Sequence, residues 1–303
     1  SKPARSLLAR IFISPAEPRL RAGWRLIGQM AIMTFMLVLF SCPAAIFSAQ
    51  KLPSEALFLL SNLLGFFAIT VSVFLARRFF DRRSLASLGL IITPRSALDV
   101  LMGILIAGAM MGLIYVLEWS LGWLKFEAFA WQVQPISQVL IEASLWLLVF
   151  VAVGWQEELL ARGYWLQNLA DGINLFWGVL VSSVFFALGH LMNPNVSLNA
   201  ILGLVLAGMF LAFGYLCTRQ LWLPIGLHIG WNFFEGTVFG FQVSGLSEIP
   251  RLIQHSVLGP ELVTGGLFGP EAGLVILPAM ALGVVLIYGY THILHHRKKD
   301  SEN

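Results

Sequence analysis

A small set of side chains that could do chemistry lies inside otherwise apolar stretches of the chain. They form three groups: Glu157, Glu158 and Arg162; then Phe186 and His190; then His228 and Asn232. A carboxylate beside a histidine in a poorly solvated cavity can deprotonate water. A second histidine and an amide can donate hydrogen bonds to an oxyanion. These residue types therefore indicate a hydrolase that works without a covalent intermediate.

The first group contains two adjacent acids and an arginine. Glu158 and Arg162 are four residues apart, so they share a helix face and can form an ion pair. Glu157 is rotated about 100° away on the same helix and cannot share that arginine equally. The alternative is that both acids are solvated at the cytoplasmic interface and have no chemical role.

The other two groups place histidines on apolar helices. Phe186 and His190 share one face, and so do His228 and Asn232, with Glu235 close to that second face. Polar groups on one stripe of an apolar helix point into a bundle and not into lipid. An inter-helix hydrogen-bond network without chemistry would explain one stripe. It would not explain why acids and histidines occur on three helices.

The same side chains admit a metal-dependent mechanism. Glu157, His190 and His228 would make the ligand set of a catalytic zinc site with one position open for water. The sequence motif H-E-x-x-H is absent, and no carboxylate that would orient a metal-bound histidine is evident. Glu235 could be such a partner for His228, or only a residue at the rim. No resident cofactor is therefore favoured, although a divalent metal such as zinc stays open.

Only a membrane bundle can position these residues. The 303 residues are 58% hydrophobic and 12% charged, and the mean hydropathy is +0.80. A soluble chain of this length would need far more polar surface, and a disordered chain would need low hydrophobicity and high net charge. The composition predicts an all-α, polytopic membrane bundle. The net charge of +3 is interpreted as loop charge and not as a sign of nucleic-acid binding.

Eight segments have the roughly 20 apolar residues that a membrane-spanning helix needs. They are residues 26–48, 57–76, 98–117, 138–158, 175–191, 198–217, 221–241 and 273–294. The fourth is expected to continue as helix to about Leu169. Small residues in the sixth, at Gly203, Ala207, Gly208 and Ala212, predict close helix approach. We therefore expect a basic N-terminal segment (1–25), one membrane domain (26–294, motif core 138–241) and a basic tail (295–303).

Basic residues set the orientation of these spans. Sixteen of the 19 Lys and Arg residues fall in segments that would lie on the side of the N-terminus, and Lys51, Lys125 and Arg251 fall on the other. The positive-inside rule then places both termini in the cytoplasm. The long outer segment 242–271 carries Glu248, Glu261 and Glu271, where acidic side chains are permitted.

Three motifs, E-E-x-x-x-R, F-x-x-x-H and H-x-x-x-N, are complete between residues 138 and 235 and occur in that order on the predicted eight-span chain. This combination resembles the type II CAAX prenyl endopeptidases, which belong to the wider CPBP or Abi group. The resemblance implies an intramembrane endopeptidase that opens to the cytoplasmic side of the membrane.

The resemblance also implies a role for each motif residue. Glu157, aided by His190, would activate the water. His228 and Asn232 would stabilise the oxyanion. The remaining motif residues would have supporting roles: Glu158, Arg162 and Phe186.

The expected partners are membrane lipids and a membrane-associated protein or peptide substrate, with or without a lipid group. We expect an integral protein of a bacterial plasma membrane and no nucleic-acid partner. A non-catalytic scaffold or immunity protein of the same fold is one alternative. A proton-coupled transporter is another, although it would be expected to have inverted repeats and broken helices, and the sequence contains no evident repeat.

Overall fold

The computed structural model describes most of the chain: Ser6, residues 11–14, Glu17, residues 19–49 and residues 54–302. Side chains are described for all of these except residues 42–49, 54–56, 58 and 294–302. Some residues of the predicted charge distribution lie outside the described set: Lys2, Arg5, Arg10, Lys51 and the side chains of Arg297, Lys298 and Lys299.

Helices make up most of the described chain. The long ones are α1 (Ala22–Ala49), α2 (Ser54–Phe79), α3 (Pro94–Ser120), α4 (Ile136–Glu158), α5 (Leu175–Leu188), α6 (Leu198–Thr218), α7 (Trp222–Asn232) and α8 (Ile276–Glu302). Short helical turns lie between them at Leu85–Leu88, Ala130–Val133, Glu261–Thr264 and Pro270–Ala272. The predicted all-α polytopic bundle is confirmed.

Two of the helices pass into wider π-helical turns. α4 is followed by a π-helical segment, Leu159–Leu166, and then by a short α-helix, Gln167–Gly172. α7 is followed by a second π-helical segment, Phe233–Val238. The continuation of the fourth predicted span toward residue 169 is thus confirmed, whereas neither π segment was predicted.

Six helical segments of the described residues are long and apolar enough to cross a membrane. They are Ala22–Ser41, Leu59–Phe79, Pro94–Ser120, Ile136–Gly172, Leu198–Thr218 and Ile276–Ile293. The fifth predicted span is a 14-residue helix and the α-helix of the seventh has 11 residues. At 1.5 Å per residue these are roughly 21 and 16 Å long, shorter than a hydrocarbon core of about 30 Å. The count of eight spans therefore stays a prediction.

Local sequence signals explain where α3 and α6 begin. Thr93 precedes α3 as its N-cap, Pro94 occupies the first turn, and the backbone N–H of Thr93 donates to Ser96 Oγ over 3.0 Å. Proline fits there because the first helical N–H groups have no intrahelical partner. Ser197 caps α6 by accepting from the Ala200 N–H at 3.2 Å.

One two-stranded antiparallel sheet was not predicted. β1 (Leu124–Phe129) pairs with β2 (Ile253–Val257), with Leu124 opposite Val257 and Phe129 opposite Ile253. The alternation of apolar and polar residues in β1 is typical of a strand with one solvated face. The sheet fastens the predicted outer segment to the loop that follows α3.

The chain divides into two compact units. Unit 1 comprises Ser1–Ile91 and Trp155–Ser182, and unit 2 comprises Ile92–Gly154 and Ser183–Asn303.

Unit 1 is held together by the buried carboxylate of Asp81. It accepts hydrogen bonds from Arg25 (3.3 Å), Arg77 (2.7 Å), Tyr164 (3.3 Å) and Asn168 (3.4 Å). The side chains of Arg25, Arg77 and Asp81 are only 3%, 1% and 0% exposed. Two arginines that the charge pattern places at the cytoplasmic rim are therefore buried in ion pairs that join α1, α2 and the segment after α4.

In unit 2, α3 and α7 pack backbone to backbone. A Cβ atom added at Gly226 would lie 2.2 Å from the Val100 carbonyl oxygen, and one at Gly230 would lie 2.7 Å from Ile104 Cα. Glycines four residues apart on one helix face allow this close approach. His228 lies between them in sequence, about 200° around the helix from Gly226, so it faces away from α3.

The small residues of α6 also mark close approaches in unit 2. A Cβ atom at Gly208 would lie 2.9 Å from Ser183 Cα on α5, as predicted for helix packing. A Cβ atom at Gly203 would lie 1.8 Å from the carbonyl oxygen of Glu271. The second contact is made with the loop before α8 and not with another long helix.

Candidate active site

The first motif lies in unit 1, where α4 passes into its π-helical segment. Arg162 Nη1 donates to Glu158 Oε1 over 2.7 Å, and these two side chains are 1% and 0% exposed. Glu157 is half-buried. The predicted Glu158–Arg162 pair is formed, and the alternative that both acids are solvated is wrong for Glu158.

Arg162 interacts with both acids, but unequally. Glu158 is its stronger electrostatic neighbour and Glu157 the weaker one. This order agrees with the prediction that Glu157 cannot share the arginine equally. The π turn begins at the residue after Glu158, and π turns inside α-helices are frequent at functional sites.

The second motif lies in unit 2 at the end of α5. The helix ends at Leu188, so the prediction that the fifth helix contains His190 is wrong by one turn, and His190 lies in the turn that follows. Its Nδ1 is 3.0 Å from the Phe186 carbonyl oxygen. A carbonyl oxygen only accepts, so Nδ1 carries the proton of the neutral ring and the Nε2 lone pair can accept one.

The third motif lies on α7, also in unit 2. His228 and Asn232 are each 7% exposed. The ring of Phe186 has its centroid 6.0 Å from that of His228 and 5.2 Å from that of His190. Phe186 therefore packs against both histidines and brings the second and third motifs together.

Sequence reasoning missed Glu271 as a member of this group. Glu248 and Glu261 are exposed, as expected for an outer segment, but Glu271 is only 5% exposed. Its Oε1 accepts from Trp231 Nε1 at 3.2 Å and its Oε2 accepts from Ser244 Oγ at 2.5 Å. The prediction that acidic side chains are permitted in this segment did not foresee the burial of this residue. Only the glycine-rich stretch 265–273, which permits close backbone approach, hints at this burial in the sequence.

The charge of Glu271 is placed near both histidines. Burial raises the pKa of its carboxyl group, whereas the Ser244 hydroxyl, His190 and His228 act in the opposite direction. Both histidines are thus electrostatic neighbours of Glu271.

Glu235 is fully buried and does not lie at a rim. It belongs to the π-helical segment after α7 and is 0% exposed. Its Oε1 is 3.4 Å from the position that a Cβ atom at Gly269 would take, and Glu271 is an electrostatic neighbour. Its place is therefore beside the loop that carries Glu271.

Among the described residues, no three His, Cys, Asp or Glu side chains are grouped so that they could hold a metal ion. The zinc alternative combines Glu157 of unit 1 with His190 and His228 of unit 2, and it stays a prediction.

Comparison with known proteins covers the middle of the chain. Residues 139–234 match the family described as type II CAAX prenyl endopeptidase Rce1-like. A Bacillus subtilis (strain 168) protein named "Putative membrane peptidase YdiL" is 28% identical over 136 residues, which are 45% of this chain and 51% of that protein. The chain thus spans about half the length of this curated relative. No solved structure matches.

The matched segment contains every residue of the three motifs, from Glu157 to Asn232, and excludes Glu271. The six apolar helices agree with the membrane location that the relative's name states. The resemblance drawn from the motifs is therefore confirmed over residues 139–234, which match the family of type II CAAX prenyl endopeptidases (Rce1-like), and the apolar helices indicate an integral membrane protein.

Proposed function

We propose that the protein is an intramembrane endopeptidase of the CAAX-processing type, which hydrolyses a peptide bond near the cytoplasmic side of the membrane. The observation that carries the proposal is the arrangement around Phe186, which packs against both His190 and His228. The hydrogen bond of His190 Nδ1 to the Phe186 carbonyl supports it further, because it leaves Nε2 to accept a proton.

In the proposed reaction, Glu157 takes a proton from water with the aid of His190. The resulting hydroxide attacks the carbonyl carbon of the scissile bond, and no covalent enzyme intermediate forms. His228 and Asn232 donate hydrogen bonds to the oxyanion of the tetrahedral intermediate. The proton then passes to the leaving amine as the C–N bond breaks.

The other motif residues have supporting roles in this proposal. The buried ion pair between Glu158 and Arg162 fixes the end of α4, and so sets the direction of the adjacent Glu157. Phe186 orients both histidine rings through its packing. No resident metal is needed for these steps.

Substrate, membrane and orientation are further parts of the proposal. The substrate would be a membrane-associated protein or peptide, including lipidated ones, and no nucleic acid takes part. The excess of Lys and Arg residues on one side of the predicted spans supports cytoplasmic termini, and the similarity to a Bacillus subtilis protein supports a bacterial plasma membrane. Labelling of single cysteines placed in each loop of intact cells tests this orientation.

The central test is cleavage of a peptide library, followed by mass spectrometry, with purified wild type and Glu157→Ala. Glu142→Ala is a matched control, because Glu142 is also a half-buried glutamate on α4 and hydrogen-bonds to Gln134 and Gln138. We expect cleavage by wild type and the Glu142 variant and none by the Glu157 variant. Activity retained by Glu157→Ala would overturn the proposal.

Two further measurements separate the alternatives. Stoichiometric zinc in the purified protein, with inhibition by a chelator and recovery on adding zinc, would favour the metal-dependent mechanism. A correctly folded wild type that cleaves no library member would favour the non-catalytic scaffold, or a transporter if proton-coupled uptake into vesicles is found.

A further inference from the structure

The segment 242–271 is joined by polar contacts to the two elements of unit 2 that carry the histidines. We call Asn193, Trp231, Ser244 and Glu271 the Glu271 junction. All four belong to unit 2, and Ser244 and Glu271 lie outside the segment that matches the peptidase family.

The first contact of the Glu271 junction is made with α7. Trp231 Nε1 donates to Glu271 Oε1 over 3.2 Å. Trp231 is on the same helix as His228 and precedes Asn232 directly. The carboxylate thus ties the helix of the proposed oxyanion donors to the loop before α8.

The second set of contacts connects the junction to the turn that contains His190. The Asn193 N–H donates to the His190 carbonyl over 3.0 Å, and Asn193 Nδ2 donates to the Ser244 carbonyl over 2.9 Å. Ser244 Oγ in turn donates to Glu271 Oε2 at 2.5 Å. An unbroken series of hydrogen bonds therefore runs from the His190 turn through Ser244 and Glu271 to α7.

The backbone of the junction is held in a costly conformation. Ser244 has φ 48°, in the left-handed region that non-glycine residues avoid. Such a residue persists only where its surroundings over-determine it, and these positions cluster at active sites. Here the surroundings include a Gly245 N–H bond to the Phe268 carbonyl at 2.7 Å and the close contact between Gly203 and the Glu271 carbonyl.

We propose that Glu271 is a positioning residue of the peptidase: through its hydrogen bonds it fixes the His190 turn relative to α7. The inference rests on the proposed function. Glu271 acts through His190 and His228 and not on the substrate, because each of its oxygens accepts a hydrogen bond from the protein and the residue is only 5% exposed.

The test is Glu271→Gln in the full-length protein, with kcat and KM measured on a peptide that wild type cleaves. Glutamine keeps the shape but loses the charge and cannot accept through its amide nitrogen. We expect kcat to fall at least tenfold while KM changes less than threefold. Glu118→Gln is the control: Glu118 is a fully buried carboxylate of the same unit, about 22 Å along α3 from the Gly103 contact with α7, and we expect no change.

A milder variant guards against misfolding. Ser244→Ala removes one hydroxyl, and we expect kcat to fall threefold or more with an unchanged melting temperature. If the hydroxyl acts through Glu271, the double variant Ser244→Ala/Glu271→Gln should be no worse than Glu271→Gln alone.

Each outcome decides between the two proposals. Wild-type kcat in Glu271→Gln, or a lower melting temperature with unchanged kcat per folded molecule, would overturn the positioning role while the peptidase stands. The positioning role would also be overturned if Ser244→Ala and Glu271→Gln lowered kcat independently, so that the loss in the double variant equalled the product of the two single losses. Wild-type-level cleavage by Glu157→Ala, or no cleavage by wild type, would overturn the peptidase and with it the role of Glu271.

Discussion

Replacing Asp81 by asparagine should destabilise unit 1 strongly. The change keeps the shape of the side chain but removes the charge that Arg25 and Arg77 share, and these arginines are 3% and 1% exposed. Removing one partner of a buried ion pair costs about 3–5 kcal/mol. Arg25 retains Asp171 at 3.7 Å and Arg77 retains a bond to Gln167 at 3.1 Å. We therefore expect a free energy of unfolding about 3 kcal/mol lower, at the bottom of that range.

Asp99→Asn is a matched control for this substitution. Asp99 is also buried and also pairs with an arginine four residues away, at 3.4 Å, but that partner, Arg95, is 47% exposed. An exposed guanidinium group is solvated when it loses its counterion, so the cost should be about 1 kcal/mol or less. The Tyr290 hydroxyl, 2.6 Å from Asp99 Oδ1, can still donate to asparagine.

Unfolding of both variants in mixed micelles by increasing SDS gives the comparison. The two free energies of unfolding should differ by about 2 kcal/mol, because only one variant leaves buried cations without their shared anion. Equal values for the two variants would refute the reasoning that desolvation of the arginines, and not loss of the hydrogen bonds, sets the cost.

Three further predictions follow from other sites. Asn232→Ala should lower kcat about 100-fold in the peptide assay, because it removes an oxyanion donor; a loss below threefold would exclude that role. Gly203→Ala should destabilise by about 1–3 kcal/mol, since its Cβ would lie 1.8 Å from a carbonyl oxygen, whereas Gly23→Ala, with nothing within 4 Å, should not. Burial lowers the pKa of His255 below its usual 6.5. The contribution of neutral His255 to the free energy of unfolding should therefore be fully present above pH 6.5 and should decline below it. Melting temperatures measured at several pH values would show this decline, and His255→Gln should remove it.

The sequence was sufficient for features that depend on nearby residues. The apolar composition and segment lengths predicted the helical membrane bundle. The spacing of Glu158 and Arg162 predicted a pair that the structure forms at 2.7 Å. Both rest on helix geometry within one segment, so no knowledge of distant contacts was needed.

Features that depend on distant contacts were not predictable in this way. Glu271 is buried by Ser244, 27 positions away, and by Trp231, 40 positions away. The β1–β2 pairing joins residues more than a hundred positions apart. The prediction also extended α5 past His190, although the helix ends at Leu188. Gly189 was the available sequence signal, because glycine favours helix ends.

The π-helical segment at Leu159–Leu166 also bears on how related chains are compared. A π turn is equivalent to an α-helix with one residue inserted. Converting this segment to plain α geometry without removing a residue would rotate Asn168 by about 100°, away from the Asp81 carboxylate that it contacts, whereas deleting one residue would preserve its direction. Evolutionary relatives with an uninterrupted α-helix should therefore align with a single-residue gap inside this membrane span, a place where sequence alignments ordinarily forbid one.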